Sequence, residues 1–339
     1  MIVLGVESSC DESSVAVVED GRRILGQVIA TQLEEHAPYQ GVVPEIASRT
    51  HTRWIVGVYR NALHRAGLAA TDLDAVAVTT RPGLVGSLVV GLSFAKALAY
   101  GLGVPLVGVD HMLAHLYAPQ LAHQVEYPFL GLLVSGGHTI IARSSGPLSM
   151  EVLGTTIDDA CGEAFDKVAK HFDLGFPGGV AIDRLARTGN DRAFSFPDSS
   201  LHKGDHPYDV SYSGLKTAVI NQLDRFWDGA SEKSPANIAA SFERAAVDML
   251  LKRLYRAIDD TRLTRVVAGG GVAANSRLRS ALASRSELEV HFPPLELCTD
   301  NGAMIAGLGY HLLRSGRQDG LDLDVGARVA GFRRSYPQS

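Results

Sequence analysis

The chain has 339 residues, of which 46% are hydrophobic and 20% are charged. This composition is that of a folded globular protein, so it excludes disorder as the main state. The formal net charge of −5 excludes capture of nucleic acid by bulk positive charge. Glycine is in excess, with 35 residues, or about 10% against a usual level of roughly 7%. Because these glycines show no collagen-like period, they predict tight loops where backbone meets ligand.

The cysteine content and the apolar segments limit the compartment in which the protein works. The cysteines are too few and too far apart for a disulfide framework or a Cys-rich zinc site: Cys10, Cys161 and Cys298. Glu7 and Asp11 interrupt the apolar start, so no signal peptide is predicted. Lys96 divides Gly83–Val109 into two uncharged runs of 13 residues, each shorter than the ~20 residues that span a bilayer. We therefore expect a soluble, cytoplasmic protein without membrane contact.

The predicted elements follow the same order twice. A meander of three strands covers Met1–Glu7, Ser14–Glu19 and Ile24–Thr31, with a turn at Asp20-Gly21. Helices then alternate with strands: helices around Thr52–Ala66, over Leu84–Gly101 and from about His111, and strands over Ala75–Val78 and Leu106–Val109. A second strand-rich opening covers Phe129–Val134, His138–Arg143 and Met150–Leu153. The chain is completed by the helices Asp158–Phe172, Ala236–Asp260, Ser276–Ala283 and Asn301–Leu313 and the strands Arg265–Ala268 and Glu289–Phe292.

This repeated order of elements predicts an α/β protein of two lobes with a cleft between them, although no repeat is visible at the level of residues. We expect an N-terminal lobe over residues 1–127 and a C-terminal lobe over residues 128–339. The segment 191–210 is rich in Asp, Ser, Pro and His, so it is predicted to be an insertion or a mobile loop of the second lobe.

Two glycine-rich segments follow strands. Leu133–Thr139 reads LVSGGHT, in which adjacent glycines let N–H groups approach an anionic or carbonyl oxygen; an ordinary Gly-Gly hairpin is the alternative. Val266–Arg279 reads VVAGGGVAANSRLR, a strand–glycine–helix order that cradles a phosphate. It lacks the G-x-G-x-x-G spacing and the Walker lysine, which disfavours a nicotinamide cofactor and a P-loop ATPase. Asn275 either caps the helix or reaches a ligand.

Two histidines indicate a metal site. His111 and His115 stand four apart in HMLAH, so on a helix both rings project from one face, as two ligands of one ion would. A structural pair is the alternative. Met112 replaces the glutamate of the zinc metalloprotease motif, so the general base of that mechanism is missing. Asp300 is an oxygen ligand that would complete the site if the fold brings it close. The alternative is that Thr299, Asp300 or Asn301 only caps the helix that follows, which alone would explain these polar residues.

Acidic residues cluster in two further places. Glu7–Ser14 reads ESSCDESS at the end of the first strand, where carboxylates hold a hydrated metal or position a nucleophile; a polar turn is the alternative. Ile157–Lys167 reads IDDACGEAFDK, and FPGGVAI and Asp183 follow it. Carboxylates near glycine turns accept hydrogen bonds from ribose hydroxyls. For Asp158 and Asp159 we favour a solvated helix face with i,i+4 ion pairing.

These segments together resemble one family, the bacterial transferase subunits of the tRNA N6-threonylcarbamoyladenosine system, formerly called O-sialoglycoprotein endopeptidases. The chain carries, in the expected order, ESSCDES, GVVPEIASRTH, RPGLVGSL, the histidine pair, LVSGGHT, DDACGEAFDK, FPGG, SYSGLKT, GGGVAAN and CTDNGAMIA. The resemblance runs from about Ile2 to the region of Gly331. Cys161 and Tyr212 stand where alanine and phenylalanine are frequent, and neither departure removes a polar ligand.

The resemblance implies two ribonuclease-H-like lobes in the actin-like fold that sugar kinases and Hsp70 share. It implies an acyltransferase that moves the threonylcarbamoyl group from threonylcarbamoyl-adenylate to N6 of the adenosine just 3′ of the anticodon, in tRNAs that read codons beginning with A, with release of AMP. Because the same fold serves ATP-dependent kinases and chaperone-like ATPases, these are the alternative functions. A metalloprotease and a non-enzymatic scaffold are two more.

The resemblance also implies the site residues. A divalent ion, Fe2+ or Zn2+, is expected on His111, His115 and Asp300, and Mg2+ is expected with any bound nucleotide. The substrate contacts carry over to nine residues: Leu133, Val134, Ser135, Gly136, Gly137, Asp166, Gly179, Asp183 and Asn275. Asp11 or Glu12 is the expected catalytic base, which takes the proton of the attacking amine.

Within that set we expect different contacts from different segments. The N–H groups of Ser135–Gly137 would face the phosphate or a developing oxyanion. Asp166 and Asp183 would hold ribose hydroxyls. The Gly269–Gly271 turn and Asn275 would border the adenine or its sugar.

The partners implied by the resemblance are tRNA, a paralogous actin-fold subunit that forms a heterodimer with this chain, a small ATPase subunit, and the synthase that makes threonylcarbamoyl-adenylate. The net negative charge predicts that tRNA capture is shared with these partners. Arg277 and Arg279 form a local basic pair that either touches phosphates or is a solvated face.

Overall fold

Two five-stranded sheets frame the molecule in the computed structural model, which describes residues 1–198 and 207–328. The first sheet has the order β3-β2-β1-β4-β5 and consists of β1 (Ile2–Glu7), β2 (Glu12–Glu19), β3 (Arg23–Thr31), β4 (Ala75–Arg81) and β5 (Leu106–Asp110). The second has the order β10-β9-β6-β7-β8 and consists of β6 (Phe129–Val134), β7 (Thr139–Gly146), β8 (Ser149–Thr155), β9 (Arg265–Gly269) and β10 (Glu289–His291).

The two sheets share one topology. In the first, β1, β2 and β3 form an antiparallel meander, and β4 and β5 add to β1 in parallel. In the second, β6, β7 and β8 form the meander, and β9 and β10 add in parallel. Strands β4 and β6 are apolar over most of their length, because helices cover both faces of each sheet. The predicted pair of similar α/β lobes is confirmed.

The helices of the described part are α1 (Leu33–His36), α2 (Pro44–Ala66), α3 (Val85–Leu102), α4 (His111–Tyr117), α5 (Cys161–His171), α6 (Gly178–Ala186), α7 (Tyr212–Asn221), α8 (Pro235–Thr261), α9 (Ser276–Ala283) and α10 (Gly302–Arg314). Helix α2 begins eight residues before its predicted start, since Pro44 occupies a first-turn position that suits proline. Helices α6 and α7 were not predicted, because their glycine- and serine-rich starts resemble loops.

Helices α4 and α10 fill the space between the sheets. Helix α10 packs on the first sheet, on the face opposite α2 and α3, where Met304 and Ile305 meet Val3. Helix α4 packs on the second sheet, where Met112 and Leu116 meet apolar side chains of β6 and β7. The two helices also contact each other. The ends of α4 and α10 therefore lie where the two lobes meet.

The predicted boundary between the two lobes, at residues 127 and 128, stays a prediction. Helix α10, which lies far beyond that boundary in the chain, contributes to the core of the first sheet. Of the predicted insertion 191–210, residues 199–206 lie outside the described part. The residues before that gap are anchored, because Phe194 and Phe196 are buried in the core of the second lobe.

One helix among the described residues, α3, is long and apolar enough to cross a membrane by length and composition, with a mean hydropathy of 1.6 over 18 residues. Only 33% of that window is buried inside the protein. Its exposed residues include Val85, Val89 and Tyr100. A single such helix is weak evidence for a membrane span, since core helices of soluble proteins have the same composition.

Candidate functional site

Three side chains meet at the start of α4 and the start of α10. His111 and His115 lie on one face of α4, which begins directly after β5, and their Nε2 atoms are 3.1 Å apart. Oδ1 of Asp300 is 2.9 Å from Nε2 of His115 and 3.5 Å from Nε2 of His111. Asn301 caps α10 through a 2.9 Å bond from the Met304 N–H, so capping does not occupy Asp300. The proximity that the metal prediction required is confirmed.

The geometry of this group fits a divalent metal ion. The three ligand atoms lie within 4.8 Å of one another, and their separations resemble the ~3 Å edges of a coordination polyhedron with bonds of about 2.0–2.2 Å. Nδ1 of His115 is buried and has no hydrogen-bond partner among the described residues. Two imidazoles and one carboxylate whose donor atoms converge on one point are a donor set for a transition metal ion.

Glu7 supports this group, and sequence reasoning did not assign it. The Glu7 carboxylate is wholly buried at the end of β1, and its Oε2 lies 3.0 Å from Nδ1 of His111 and accepts a 2.5 Å bond from Thr79 Oγ1. Its Oε1 accepts a 2.5 Å bond from the Ser9 N–H. A carboxylate on the outer nitrogen of a ligand histidine fixes the ring and raises its basicity. The sequence signal was present in ESSCDESS, but nothing distinguished Glu7 from its acidic neighbours.

Buried charges interact strongly around these ligands. Burial lowers the pKa of His111, but the Asp300 and Glu7 carboxylates outweigh it and raise that pKa to about 9. Burial, together with the charge on His111, lowers the pKa of His115. Burial opposes ionisation of Asp300, yet the neighbouring histidines hold its pKa well below the usual range. His111 thus lies between two carboxylates, and a divalent cation that binds to its ring would compete with a proton.

Of the two predicted catalytic carboxylates, Asp11 lies in the turn before β2 and Glu12 is the first residue of β2. Glu12 is half-buried, and burial followed by the charges on Asp300 and Asp11 raises its pKa well above the usual range. The Asp11 carbonyl accepts a 3.1 Å bond from the Gln32 N–H. The fold therefore places Glu12 within the electrostatic field of the metal-ligand group, and the role of either carboxylate as base stays a prediction.

The LVSGGHT segment forms the end of β6 and a tight turn. Leu133 and Val134 have fully buried side chains, so only their main chains are accessible to a ligand. The Ser135 N–H donates a 2.8 Å bond to the His138 carbonyl. Of the three amides expected to contact an anion, the Ser135 amide therefore already has an acceptor within the protein. In the described structure the amides of Gly136 and Gly137 have no protein acceptor, and space is open beside both α-carbons.

Two aspartates of the predicted ribose contacts hold loops together. Asp166 Oδ1 accepts a 2.8 Å bond from the Gly178 N–H, and burial raises the pKa of this carboxyl. Gly179 has open space beside its α-carbon. Asp183 Oδ1 accepts bonds from the N–H and Oγ of Ser276, at 2.7 and 2.6 Å, which ties α6 to the start of α9. Each carboxylate thus accepts a hydrogen bond from a main-chain N–H of a neighbouring segment. Their contacts with ribose hydroxyls stay a prediction.

Asn275 caps α9, as one alternative predicted. Its Oδ1 accepts a 2.9 Å bond from the Leu278 N–H, and its Nδ2 donates a 2.6 Å bond to Oε1 of Glu243. Glu243 comes from α8, is 4% exposed and was not predicted. Burial raises the pKa of Glu243 to about 7, although the bond from Asn275 opposes the rise. The side chain of Asn275 is therefore held in one orientation from both ends.

We expect Glu243 to make stability depend on pH. Its folded pKa of about 7 exceeds the ordinary value of 4.5, so the stability gained by its protonation is present below pH 4.5 and is lost as the pH rises through 7. The loss is at most roughly 3 kcal/mol. Urea unfolding of the wild type and Glu243→Gln at pH 5 and pH 8 measures it: the variant gains relative stability at pH 8. An equal difference at both pH values would contradict the shifted pKa.

The glycine turns pack against the helix that carries the histidines. A Cβ on Gly269 would lie 2.7 Å from the His115 carbonyl oxygen, and one on Gly270, whose φ is +86°, would lie 2.4 Å from the Val134 carbonyl oxygen. A Cβ on Gly162 of α5 would lie 2.7 Å from the α-carbon of Gly136. The glycine turns therefore pack directly against the backbone of the helix that carries the two histidines and against the end of β6.

The polar residues around this site are mostly paired. Asp159 forms ion pairs with Lys167 and Lys216, and Asp158 accepts N–H bonds from Tyr212 and Ser213 at the start of α7. Helix α5 begins only at Cys161, so neither aspartate is on a helix face, which corrects the favoured interpretation. The predicted i,i+4 pairing is confirmed elsewhere on α5, between Glu163 and Lys167 at 2.8 Å.

The basic pair near α9 is also engaged within the protein. Arg277 forms a 3.0 Å ion pair with Asp191. Arg279 donates a 2.7 Å bond to the Ala273 carbonyl, and its guanidinium lies 4.6 Å from the centre of the Phe292 ring. Arg279 thus joins the glycine turn to the segment that leads to Asp300, and contact of this basic pair with phosphates stays a prediction.

Comparison with solved structures identifies the fold. The (R)-2-hydroxyglutaryl-CoA dehydratase component A of Acidaminococcus fermentans aligns with a TM-score of 0.57 at 15% identity, over 94% of this chain and 100% of that chain. HypF of T. kodakarensis aligns with a TM-score of 0.62 at 15% identity, over 93% of this chain and 48% of that chain. These are actin-like ATPase folds, so the predicted actin-like architecture is confirmed.

Comparison with curated proteins identifies the family. The family model described as TsaD, tRNA N6-adenosine threonylcarbamoyltransferase, matches residues 23–307. A protein of that name from Treponema denticola is 58% identical over 338 residues, 100% of both chains, and one from Borrelia garinii is 48% identical over 336 residues, 99% of both. The kinase and ATPase alternatives share only the fold. The chain belongs to the tRNA N6-adenosine threonylcarbamoyltransferase family and is a transferase of tRNA modification.

Proposed function

We propose that this chain transfers the threonylcarbamoyl group from threonylcarbamoyl-adenylate to N6 of the adenosine 3′ of the anticodon. The observation that carries the proposal is the packing of the glycine turns directly against the helix that holds the two histidines of the metal-ligand group. An acyl phosphate needs both kinds of group, because its phosphate binds backbone amides while its acyl end is polarised and oriented.

The donor is a mixed anhydride, so the reaction needs no further activation. The N6 lone pair forms a bond to the carbamoyl carbon, the bond from that carbon to the phosphate oxygen breaks, and AMP leaves with the electron pair. The N6 proton passes to a carboxylate, Asp11 or Glu12. The Gly136 and Gly137 amides bind the phosphate, and Asp166, Gly179 and Asn275 position the nucleoside by main-chain and side-chain contacts.

We propose Fe2+ or Zn2+ as the native ion on His111, His115 and Asp300. When bound, the ion supplies a Lewis acid that orients the donor. Two imidazoles and one carboxylate leave coordination positions open for a substrate, as in catalytic zinc sites and in iron sites with a facial triad. Elemental analysis of protein purified without added metal distinguishes the two.

We propose that the protein works in the cytoplasm with a paralogous actin-fold subunit, a small ATPase and a separate synthase for the donor. The exposed apolar side of α3, with Val85, Val89 and Tyr100, supports a protein partner there. Lys167, Lys216 and Arg277 are each held in an ion pair with an aspartate, which supports shared tRNA capture. Salt-dependent tRNA binding by this chain alone would therefore be weak.

A reconstituted assay tests the proposal. Purified threonylcarbamoyl-adenylate, unmodified tRNA and the partner proteins are mixed with this chain, and the expected products are modified adenosine and AMP in equal amounts. Formation of ADP with a small acceptor and no dependence on tRNA would favour a kinase. Absence of modified adenosine with every partner present would contradict the transfer itself, whereas full activity of Asp11→Asn/Glu12→Gln would exclude only the assigned base.

A further inference from the structure

A buried histidine of α2 bridges the two ends of the turn that carries Asp11 and Glu12. The ring of His51 is fully buried, with Nδ1 2.6 Å from Oγ of Ser13 and Nε2 2.9 Å from the carbonyl oxygen of Cys10. Cys10 and Ser13 directly flank the two carboxylates. A single rigid ring thus links the main chain of the residue before them to the side chain of the residue after them.

The partners of His51 define its protonation. The Cys10 carbonyl only accepts hydrogen bonds, so Nε2 carries a proton. In the neutral ring Nδ1 is then an acceptor, and the Ser13 hydroxyl donates to it. Burial lowers the pKa of His51, against the opposing effect of the Cys10 bond, which agrees with the neutral ring. Both ring nitrogens are therefore satisfied, and the orientation of the ring is fixed.

Other hydrogen bonds hold the neighbouring backbone: the Ser9 N–H donates a 2.5 Å bond to Glu7, and β2 pairs with β3 from Glu12 onward. The Ser9 carbonyl accepts a 2.8 Å bond from the Leu84 N–H, and the Asp11 carbonyl accepts a 3.1 Å bond from the Gln32 N–H. Neither contact spans the carboxylates. Both hydrogen bonds of His51 go to residues that flank Asp11 and Glu12 and neither goes to a metal ligand, so these bonds act on the site through the turn.

We propose that His51 is a positioning residue for the transfer step, which fixes the backbone between Cys10 and Ser13 and so directs Asp11 and Glu12 toward the cleft. The inference rests on the proposed function, in which one of these carboxylates takes the N6 proton. His51 itself touches neither substrate nor metal. Substitution of His51 lowers the transfer rate because it displaces the base. A displacement of about 1 Å lowers such a rate on the order of 100-fold.

The test uses two variants of His51 and one matched control. His51→Phe fills the space and removes both bonds, whereas His51→Gln keeps an amide that can donate to the Cys10 carbonyl. His36→Gln is the control, because His36 is equally buried and bonds the Gln32 side chain and the Val43 N–H, whereas the Asp11 carbonyl is bonded by the Gln32 main chain. Each variant is made in the wild type and in the Asp11→Asn/Glu12→Gln background.

Single-turnover transfer is measured in the complete complex with saturating donor and tRNA. We expect His51→Phe to lower the rate about 10- to 100-fold in the wild type, His51→Gln to restore most of it, and His36→Gln to retain it. In the Asp11→Asn/Glu12→Gln background we expect His51→Phe to lower the transfer rate less than about twofold, because the carboxylates through which it acts are already gone. If His51 acted independently of them, it would lower the rate by the same factor in both backgrounds. Metal affinity, a readout separate from activity, should stay within about twofold in every variant.

Hydrogen exchange of the 8–14 backbone amides tests the same inference without catalysis. We expect faster exchange in His51→Phe and unchanged exchange in His36→Gln. The inference is overturned by an equal cost of His51→Phe in both backgrounds, by a parallel loss of metal affinity, by unchanged exchange, or by a fully active Asp11→Asn/Glu12→Gln protein. The proposed function fails separately, if the wild type forms no modified adenosine.

Discussion

Asp300→Asn is expected to lower the affinity for a divalent ion by at least about 100-fold and to lower transfer by a similar factor. Asp300 is the single carboxylate of the ligand group, and its Oδ1 lies 2.9 Å from Nε2 of His115. Without it two neutral imidazoles remain, which hold the ion less tightly and leave its charge uncompensated. The measurement is competition for Zn2+ against a chelator, followed by transfer at saturating metal.

Glu7→Gln is expected to lower the metal affinity as well, but by less than Asp300→Asn. The Glu7 carboxylate contacts the ligand group through Nδ1 of His111, at 3.0 Å, so a loss of about 10- to 100-fold in affinity is expected. Asp158→Asn is the matched control, since Asp158 is an acidic residue that caps α7 and has no contact with the ligands. Equal affinity of Asp300→Asn and the wild type would exclude Asp300 as a ligand.

Gly162→Ala is expected to lower transfer about 100-fold, comparable to the loss of one preorganised donor in an oxyanion site. A methyl group there would lie 2.7 Å from the α-carbon of Gly136 and 2.8 Å from the Ser135 carbonyl oxygen. Because these atoms are backbone, we expect the turn to move away from α5 and its amides to leave the proposed phosphate position. The measurement is single-turnover transfer together with AMP binding.

Gly101→Ala is the control for Gly162→Ala. Gly101 is also helical, but a Cβ there meets nothing within 4 Å. It should stabilise the protein by up to about 1 kcal/mol through helix propensity and leave transfer unchanged. Overpacking at Gly162 costs about 1–3 kcal/mol, so its unfolding is measured in parallel. Full transfer by Gly162→Ala would show that the turn adapts or that its amides do not bind the phosphate.

Much of the fold could be predicted from patterns of neighbouring residues in the sequence. Each sheet begins with apolar runs separated by short polar turns, and the spacing of His111 and His115 places both rings on one helix face regardless of tertiary context. Caps were also readable, because Asn275 and Asn301 precede apolar helical segments. These features depend on neighbours within a few residues, where propensity and periodicity are informative.

Long-range placement was not readable from local patterns. Asp300 and His111 are far apart in the chain, and only family resemblance joined them before their geometry was known. Glu7 and Glu243 gain their roles from burial against residues of distant elements. Helices α6 and α7 escaped prediction because their N-terminal residues, Gly178 and Tyr212, begin motifs whose composition indicates turns. Tertiary packing decided these elements rather than intrinsic preference.

Helix α10 has a consequence for the order in which the protein is made. It supplies one face of the first lobe, with Met304 and Ile305 packed on strands that contain Val3 and Ala77. During synthesis those strands leave the ribosome long before α10 exists, so their apolar face stays uncovered while the second lobe folds. The lobe that is translated first is therefore the last to be completed, and a fragment ending at residue 127 would expose the surface on which aggregation begins.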